Sequence, residues 1–295
     1  VSFLTKSNKE ITIRLTRIHM EEDAGKLIHD DDSLKNISSL VDFNRAGVPL
    51  LEIVSEPELR SPEDAELYAR KLRTLVRYLD ICDGNMQEGS LRCDANISLR
   101  KSGEKSFGSK VEIKNVNSFR SLRKSLEYEE IRQAELLDEN QPVIQETRLW
   151  DESSDITRNM RTKEYAHDYR YFPDPDLVPL EIDKEWISQI EQTLPELPDT
   201  KRERFINNYK LPLYDSEVLT SENALANYFE ETVKHFELKD IKLASNWIMG
   251  DILRLLNEQK ISIEESPITP ANLAEMISLI TDGTISGKIA KEVFE

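Results

Sequence analysis

An α+β protein is predicted by three features of this 295-residue chain. Residues 88–100 alternate between apolar and polar side chains, the period of two that marks a half-buried strand. Two long stretches of helical periodicity are interleaved with further strands of this kind. Beyond residue 185 the pattern is helical throughout, so a strand-bearing domain over residues 1–186 is expected to lead into an all-helical domain over 187–295.

The first strand is expected over Glu10–Glu21. Ile11, Ile13 and Leu15 share one parity and Ile18 and Met20 the other, so a bulge or bend is expected near Thr16 and Arg17. Beyond it Arg17, His19 and Glu21 share a face. Asp23–Lys26 turns through Gly25, and the polar, acidic residues 28–39 read as a loop. A second strand includes Leu50–Val54. The first helix starts at Ser61 as N-cap, with Pro62 in its first turn and Asp64 three residues after the cap. Its apolar stripe is Leu67 or Tyr68, then Leu72, Leu75, Val76 and Leu79. After a turn at Gly84, the strand at 88–100 sets Leu91, Cys93, Ala95, Ile97 and Leu99 on one side. Ser90, Arg92, Asp94, Asn96, Ser98 and Arg100 take the other. Ser102 and Gly103 mark a hairpin turn. The next strand, Lys110–Lys114, buries Val111 and Ile113 and shows Lys110, Glu112 and Lys114. The second helix runs from about Ser118 to Asp138 with Phe119, Leu122 and Leu126 inward, and Val143–Trp150 is a further strand.

Pro173, Pro175 and Pro179 exclude regular helix across the segment that follows. Pro195 and Pro198 open the helical half. Its stripes are Leu225, Phe229, Val233 and Phe236; then Ile248, Ile252, Leu255 and Leu256; then Leu273, Met276, Ile277 and Ile280 behind a start at Thr269 and Pro270.

Composition narrows the function classes. Charged residues make up 32% and hydrophobic residues 38% of the chain, the balance of a folded domain. The net charge of −17 argues against a general nucleic-acid binder but leaves room for a local basic surface. Arg70, Lys71, Arg73 and Arg77 cluster on one helix and Arg120, Arg123 and Lys124 on another; each cluster alone reads as a solvated face. Cys82 and Cys93 fit no zinc or redox spacing, and their scarcity suits a reducing compartment. No apolar run is long enough to cross a bilayer. The chain starts at Val1 rather than Met, and Ile289–Glu295 breaks off inside a helical pattern, so a fragment cut at both ends is expected.

Three polar segments carry the candidate chemistry: His19, Glu21, Glu22 and Asp23; Arg92, Asp94 and Asn96; Glu112 and Lys114. If their strands pair in one antiparallel sheet, the polar faces coincide and several carboxylates crowd together. A hard divalent cation relieves that repulsion, and carboxylate oxygens suit magnesium, which also carries nucleotide phosphates. Arg92 and Lys114 suit phosphate oxygens. Neither GxxxxGK[ST] nor GxGxxG occurs. The competing reading is an antiparallel sheet that turns its polar face to water, and spacing leaves both open. Glu58, Glu63 and Asp64 read as helix-start carboxylates. Trp150, Trp186 and Trp247 read as core or interface anchors. Asp174 and Asp176 are either turn formers or part of a site.

The chain resembles the GatB family, one of the component chains of the glutamyl/aspartyl-tRNA amidotransferases. The resemblance runs through RIHMEEDAGK at 17–26, VDFNRAGVPLLEIVSEPE at 41–58, GSLRCDANIS at 89–98, KVEIKNVNSF at 110–119, DYRYFPDPDLVPL at 168–180 and SNWIMGD at 245–251. It implies a cradle-like antiparallel-sheet domain similar to glutamine synthetase, then a helical domain, then a small tail domain. It also implies ATP-dependent conversion of misacylated Glu-tRNA(Gln), Asp-tRNA(Asn) or both to the amidated forms. In that family the GatB chain phosphorylates the aminoacyl carboxylate, an amidase partner supplies ammonia from glutamine, and a small third chain clamps the two together. Carried onto this chain, Glu22, Asp94 and Glu112 would be catalytic magnesium ligands, with Glu21 the alternative to Glu22. Arg92 and Lys114 would face ATP phosphates, and Asn96 would position substrate. His19, Arg45 and Arg170 are further candidates, and Glu22 would help pass ammonia by accepting a proton. The family begins with a Glu-x-His strand and ends in a tail domain, neither of which has a counterpart here, so the fragment alone is expected to be inactive. The stretch at 28–39 is longer than is usual in the family. The inserted domain of the archaeal relative is not seen. A bacterial cytoplasm or an organellar matrix or stroma is the expected setting, with no membrane partner. The rivals are a non-catalytic tRNA-binding scaffold of the same fold and a free-standing amide ligase of the glutamine synthetase type.

Overall fold

The computed structural model describes residues 1–7, 9–24, 26–28, 40–162, 175–234, 236 and 238–294. In chain order the strands and helices are β1 (Ser2–Leu4), β2 (Glu10–Thr12), β3 (Leu15–Glu22), β4 (Lys26–Ile28), β5 (Leu40–Asp42), β6 (Pro49–Ser55), α1 (Pro62–Tyr78), β7 (Cys93–Ile97), β8 (Val111–Val116), α2 (Phe119–Asp138), β9 (Glu146–Asp151) and β10 (Ile156–Thr162). The helices α3 (Lys184–Thr193), α4 (Pro198–Tyr209), α5 (Leu213–Leu219), α6 (Asn223–Val233), α7 (Leu238–Trp247), α8 (Leu253–Gln259), α9 (Pro270–Thr281) and α10 (Gly287–Phe294) follow. The chain folds into two compact units, one of residues 1–71 and 93–162, the other of residues 72–92 and 163–295.

The α+β class holds, but the strands of the first unit do not form one antiparallel sheet. A four-stranded sheet runs β10-β9-β8-β7, and β1–β2, β3–β6 and β4–β5 are separate two-stranded ribbons. Within the larger sheet β8 and β9 are parallel. The reason lies between them: the 20-residue α2 is a crossover, and a helical crossover returns the chain in the same direction. The expected bulge in the first strand is present, as a register shift between Leu15 and Arg17 against β6. The strand expected at 88–100 is shorter, Cys93–Ile97, yet its alternation holds: Arg92, Asp94 and Asn96 are exposed while Ala95 is buried.

The N-cap expected at Ser61 is present, and the second helix, expected from about Ser118, is capped by that residue. Ser61 Oγ accepts from the Asp64 amide at 3.1 Å, and Ser118 Oγ accepts from the Ser121 amide at 3.0 Å. In α1 the stripe position is Tyr68 rather than Leu67. In α2 Phe119, Leu122 and Leu126 face inward, over Val111, Ile113 and Trp150 of the sheet. The same stripe continues with polar residues: Glu129 and Gln133 are both fully buried. Glu129 receives Arg132 at 2.8 Å, Thr157 Oγ1 at 2.5 Å and Gln133 Nε2 at 3.2 Å, and Arg148 lies 3.0 Å away. Arg148 also bonds Glu146 at 2.7 Å. A buried charge of this kind is stable only when paired and hydrogen-bonded, as here.

The second unit has its own core of Phe205, Leu219, Phe229, Ile248, Ile252, Leu273 and Ile277. The three predicted stripes lie on α6, on the turn into α8, and on α9; Thr269 caps α9 through the Asn272 amide at 3.2 Å. Residues 248–252 form a π-helical turn between α7 and α8. Trp150 and Trp247 are buried anchors as expected, while Trp186 on α3 is exposed.

Candidate functional site

On β7 and β8 of the first unit, period-two geometry sets Asp94, Asn96, Glu112 and Lys114 on the face of the sheet opposite α2, because Ala95, Val111 and Ile113 take the inner face. Asn96 is the direct cross-strand partner of Glu112. Lys114 Nζ lies 2.9 Å from Asp94 Oδ2 and 3.8 Å from Glu112 Oε1, so one ammonium group stands between two carboxylates. Two residues outside the sequence expectation complete the arrangement. Thr147, on the neighbouring parallel strand β9, is buried and donates from Oγ1 to Glu112 Oε2 at 2.9 Å. Asn115 sits in β8 with φ of +64° and donates from Nδ2 to the Trp150 carbonyl at 3.0 Å. It stands where β8 carries one residue more than β7, since Cys93 pairs with Val116 and Ala95 with Ile113. Such a bulge re-aims neighbouring side chains, and Lys114 is the residue before it. The available signal was an Asn inside a strand pattern, a residue depleted in strands and tolerant of left-handed backbone. Burial, and then the Asp94 charge, push the Cys93 thiol up to about 11, so this cysteine is an unreactive wall residue.

The first polar segment lies elsewhere in the same unit. His19, Glu21 and Glu22 are exposed on the β3–β6 ribbon, with His19 opposite Glu52, Glu21 opposite Leu50 and Glu22 opposite Pro49. At the ribbon's end Arg45 pairs with Asp23 at 3.1 Å. The structure thus brings Asp94, Asn96, Glu112 and Lys114 together, and it carries His19, Glu21 and Glu22 on a different sheet and Arg45 in the turn before β6. Arg92 is exposed just before β7 and belongs to the second unit. Arg170 and Asp174 lie outside the described residues. Among the described residues no group of three or more His, Cys, Asp or Glu side chains comes together as a metal site.

Magnesium is still chemically matched to what is present. Asp94 and Glu112 offer hard oxygen donors, and Asn96 adds an amide oxygen. Magnesium commonly takes only one or two protein carboxylates and completes its shell with water and substrate phosphates.

The basic helix clusters are engaged in pairs, which supports their reading as ordinary helix faces. Arg70 meets Glu66 at 2.7 Å, Arg77 meets Glu222 at 2.7 Å, Arg123 meets Glu127 and Glu63 at 2.7 and 2.8 Å, and Lys124 meets Asp155 at 2.6 Å. No helix among the described residues is long and apolar enough to cross a membrane.

Comparison with known proteins agrees with these motifs. Residues 2–188 match the family model of the GatB/GatE catalytic domain, and residues 227–295 match that of the GatB domain. The B subunit of the aspartyl/glutamyl-tRNA(Asn/Gln) amidotransferase of Carboxydothermus hydrogenoformans is 55% identical over 283 residues, covering 96% of this chain and 58% of the relative. The protein of the same name from Thermodesulfovibrio yellowstonii is 56% identical over 283 residues, with the same 96% and 58% coverage. That from Thermosynechococcus vestitus is 56% identical, covering 95% of this chain and 56% of the relative. The chain therefore spans somewhat more than half the length of these relatives. With more than half of its residues inside one family model, this chain belongs to the GatB/GatE catalytic-domain family.

Proposed function

We propose that this chain is the carboxylate-activating part of an aminoacyl-tRNA amidotransferase, with residues 1–186 as catalytic domain, resembling the cradle of glutamine synthetase, and residues 187–295 as helical domain. Its substrates are ATP and Glu-tRNA(Gln), Asp-tRNA(Asn) or both. Its partners are an amidase and a small clamping protein. The observation that carries this reading is the Asp94–Lys114–Glu112 constellation on an open sheet face, in a chain of this family whose relatives are named for that reaction.

The reaction runs in two steps. A side-chain carboxylate oxygen of the aminoacyl group attacks the γ-phosphorus of ATP, and the bond to ADP breaks. Ammonia then attacks the acyl carbon, inorganic phosphate leaves, and the amide forms with loss of a proton. The first step is needed because a carboxylate resists ammonia and its acyl phosphate, a mixed anhydride, does not. Asp94 and Glu112, with Glu22 or its alternative Glu21, would hold magnesium. Bound there, magnesium offsets the phosphate charge. Lys114 has three N–H donors, so it can keep Asp94 while reaching a phosphate oxygen; Arg92 is the second candidate for phosphate contact. Thr147 holds the Glu112 carboxylate in one orientation. Asn96 orients the aminoacyl group, and His19, Arg45 and Arg170 line the approach. Glu22 takes the proton from ammonium on the way in, so that neutral ammonia reaches the acyl carbon.

The test uses the full-length protein assembled with its amidase and clamping partners. Conversion of Glu-tRNA(Gln) and Asp-tRNA(Asn) is followed with ATP, magnesium and glutamine. Asp94→Asn, Glu112→Gln and Glu22→Gln are each expected to abolish conversion while the proteins stay folded. Undiminished conversion in all three variants refutes the site. A folded, assembled wild-type complex that converts neither tRNA refutes the function.

A further inference from the structure

The chain between β7 and β8 is unlike the rest of this acidic molecule. Residues 99–110 carry Arg100, Lys101, Lys105 and Lys110 against a single carboxylate, Glu104, in a protein of net charge −17. Every residue from Arg100 to Lys110 is exposed. Phe107 is 56% exposed, and the Arg100 guanidinium lies 5.1 Å from its ring centroid. Arg70, Arg123 and Lys124 on the helices pair with carboxylates, whereas among the described residues none of these four cations is held in an ion pair.

The loop is nonetheless built. Arg100 Nη1 donates to the Lys105 carbonyl at 2.6 Å, and the Glu104 amide donates to the Lys101 carbonyl at 3.1 Å. Gly103 takes the turn with φ of +92°. Lys101 Nζ donates to Asn140 Oδ1 at 3.2 Å. At the neck, a Cβ on Gly108 would lie 2.0 Å from the Leu99 carbonyl oxygen, so only glycine permits this close approach of the two chains. The loop joins the two strands that carry Asp94, Asn96, Glu112 and Lys114, and its neck at Leu99 lies about 17 Å along the strand from Asp94 at the usual rise per residue.

We propose that residues 100–110 are a docking arm for the unpaired end of the nucleic-acid substrate, with Phe107 as a stacking platform and Arg100, Lys101, Lys105 and Lys110 on the phosphates. An exposed aromatic among cations with no carboxylate partners matches single-stranded nucleic acid, whose bases stack on any aromatic face and whose backbone attracts cations. A duplex offers phosphates but no free base for Phe107. An acidic protein surface would satisfy the lysines but gives an exposed ring beside an arginine no comparable partner. This inference rests on the transamidation reading and adds to it which surface holds the acceptor end.

The test again uses the assembled full-length complex and two probes: intact misacylated tRNA, and the same tRNA lacking its unpaired 3′ nucleotides. Phe107→Ala is expected to weaken intact tRNA roughly tenfold and leave the truncated tRNA unchanged, and Phe107→Tyr to restore binding. Lys101→Ala with Lys105→Ala is expected to reduce the slope of log K against log salt by about 1.4. The side chains changed are exposed, so folding is expected to persist and is checked by an unchanged melting curve. If wild type converts tRNA and the loop variants bind both probes as wild type does, the arm is refuted and the transamidation reading stands. Loss of the amidase from complexes of the loop variants, with tRNA affinity intact, overturns the arm in favour of a protein contact. If wild type binds no tRNA, both readings fail.

Discussion

Thr147 is the residue on which the sheet face turns. Its hydroxyl is buried and donates to Glu112, itself nearly covered, so the carboxylate has one fixed orientation. Hydrogen bonds to charged groups contribute about 1.5–3 kcal/mol, and much of that is orientation when the acceptor must meet a cation. Thr147→Val, equal in volume but lacking the donor, is expected to lower kcat of the assembled enzyme by roughly tenfold or more, while Thr147→Ser retains most of it. Steady-state kinetics with ATP and misacylated tRNA decide; equal kcat in both variants removes Thr147 from the site. Lys114→Met is expected to cost more, because it leaves Asp94 and Glu112 without the cation between them and takes a donor from the phosphates. The four polar positions on β7 and β8 were legible because a period of two fixes the face of each side chain. Thr147 was not, since a threonine in a strand is ordinary and its neighbour arrives through a parallel pairing. The sequence grouped Glu22 with Asp94 on one sheet and the structure sets them on two, because alternation names a face but never the strand next door.

At the scale of elements, α2 is fastened to the sheet by charge as much as by apolar contact. Its stripe begins Phe119, Leu122, Leu126 and ends Glu129, Gln133, and Glu129 is met by Arg132, Arg148 and Thr157. Burial pushes the Glu129 carboxyl up, but hydrogen bonds from Arg132, Thr157 and Gln133 outweigh it and hold the group below its usual 4.5. A carboxyl lowered by folding stabilises the native state above its unfolded value, and that stability is lost as pH falls below 4.5 through the folded value. Glu129→Gln is expected to destabilise by about 3–5 kcal/mol at pH 7, because two guanidinium groups lose their buried anion. It is also expected to flatten the acid side of the stability profile, which urea unfolding at a series of pH values measures; an acid limb unchanged by the substitution rules Glu129 out as its cause. The same cluster explains why β10 was missed. Its ITRNMRT run pairs with β9, and its buried residue among those described is Thr157, which meets Arg148 and Glu129, so no apolar periodicity marks it. Elements with local signals were read well: the Ser61 cap, the start of α2 near Ser118, the parity switch at the β3 bulge, and the Thr269–Pro270 start of α9. Pairing directions and the π-helical turn at 248–252 depend on tertiary packing, which no local pattern carries.

For the whole molecule, stability and activity are expected to separate. Each unit has a core of its own, one beneath α2 and one around Phe229, Ile252 and Ile277, so the chain has what it needs to fold. The reaction asks for more. Phosphoryl transfer to a carboxylate crowds negative charge from the γ-phosphate, the attacking oxygen and the ligating carboxylates, and it proceeds only when cations and positioned donors surround all of them. Among the described residues the sheet face supplies two carboxylates, one amide and Lys114, while Glu22 stands on another ribbon, and the chain spans about 58% of the length of its relatives. The isolated 295-residue chain is therefore expected to melt cooperatively and to release no phosphate from ATP in the presence of Glu-tRNA(Gln) or Asp-tRNA(Asn). The full-length protein assembled with its amidase is expected to release phosphate only when one of these tRNAs is present. Phosphate release assayed on both, beside a melting curve of each, separates a folded but incomplete site from an unfolded chain. Release by the isolated chain at the full-length rate would mean that the residues within these 295 positions, Asp94, Glu112, Lys114 and Glu22 among them, suffice for carboxylate activation.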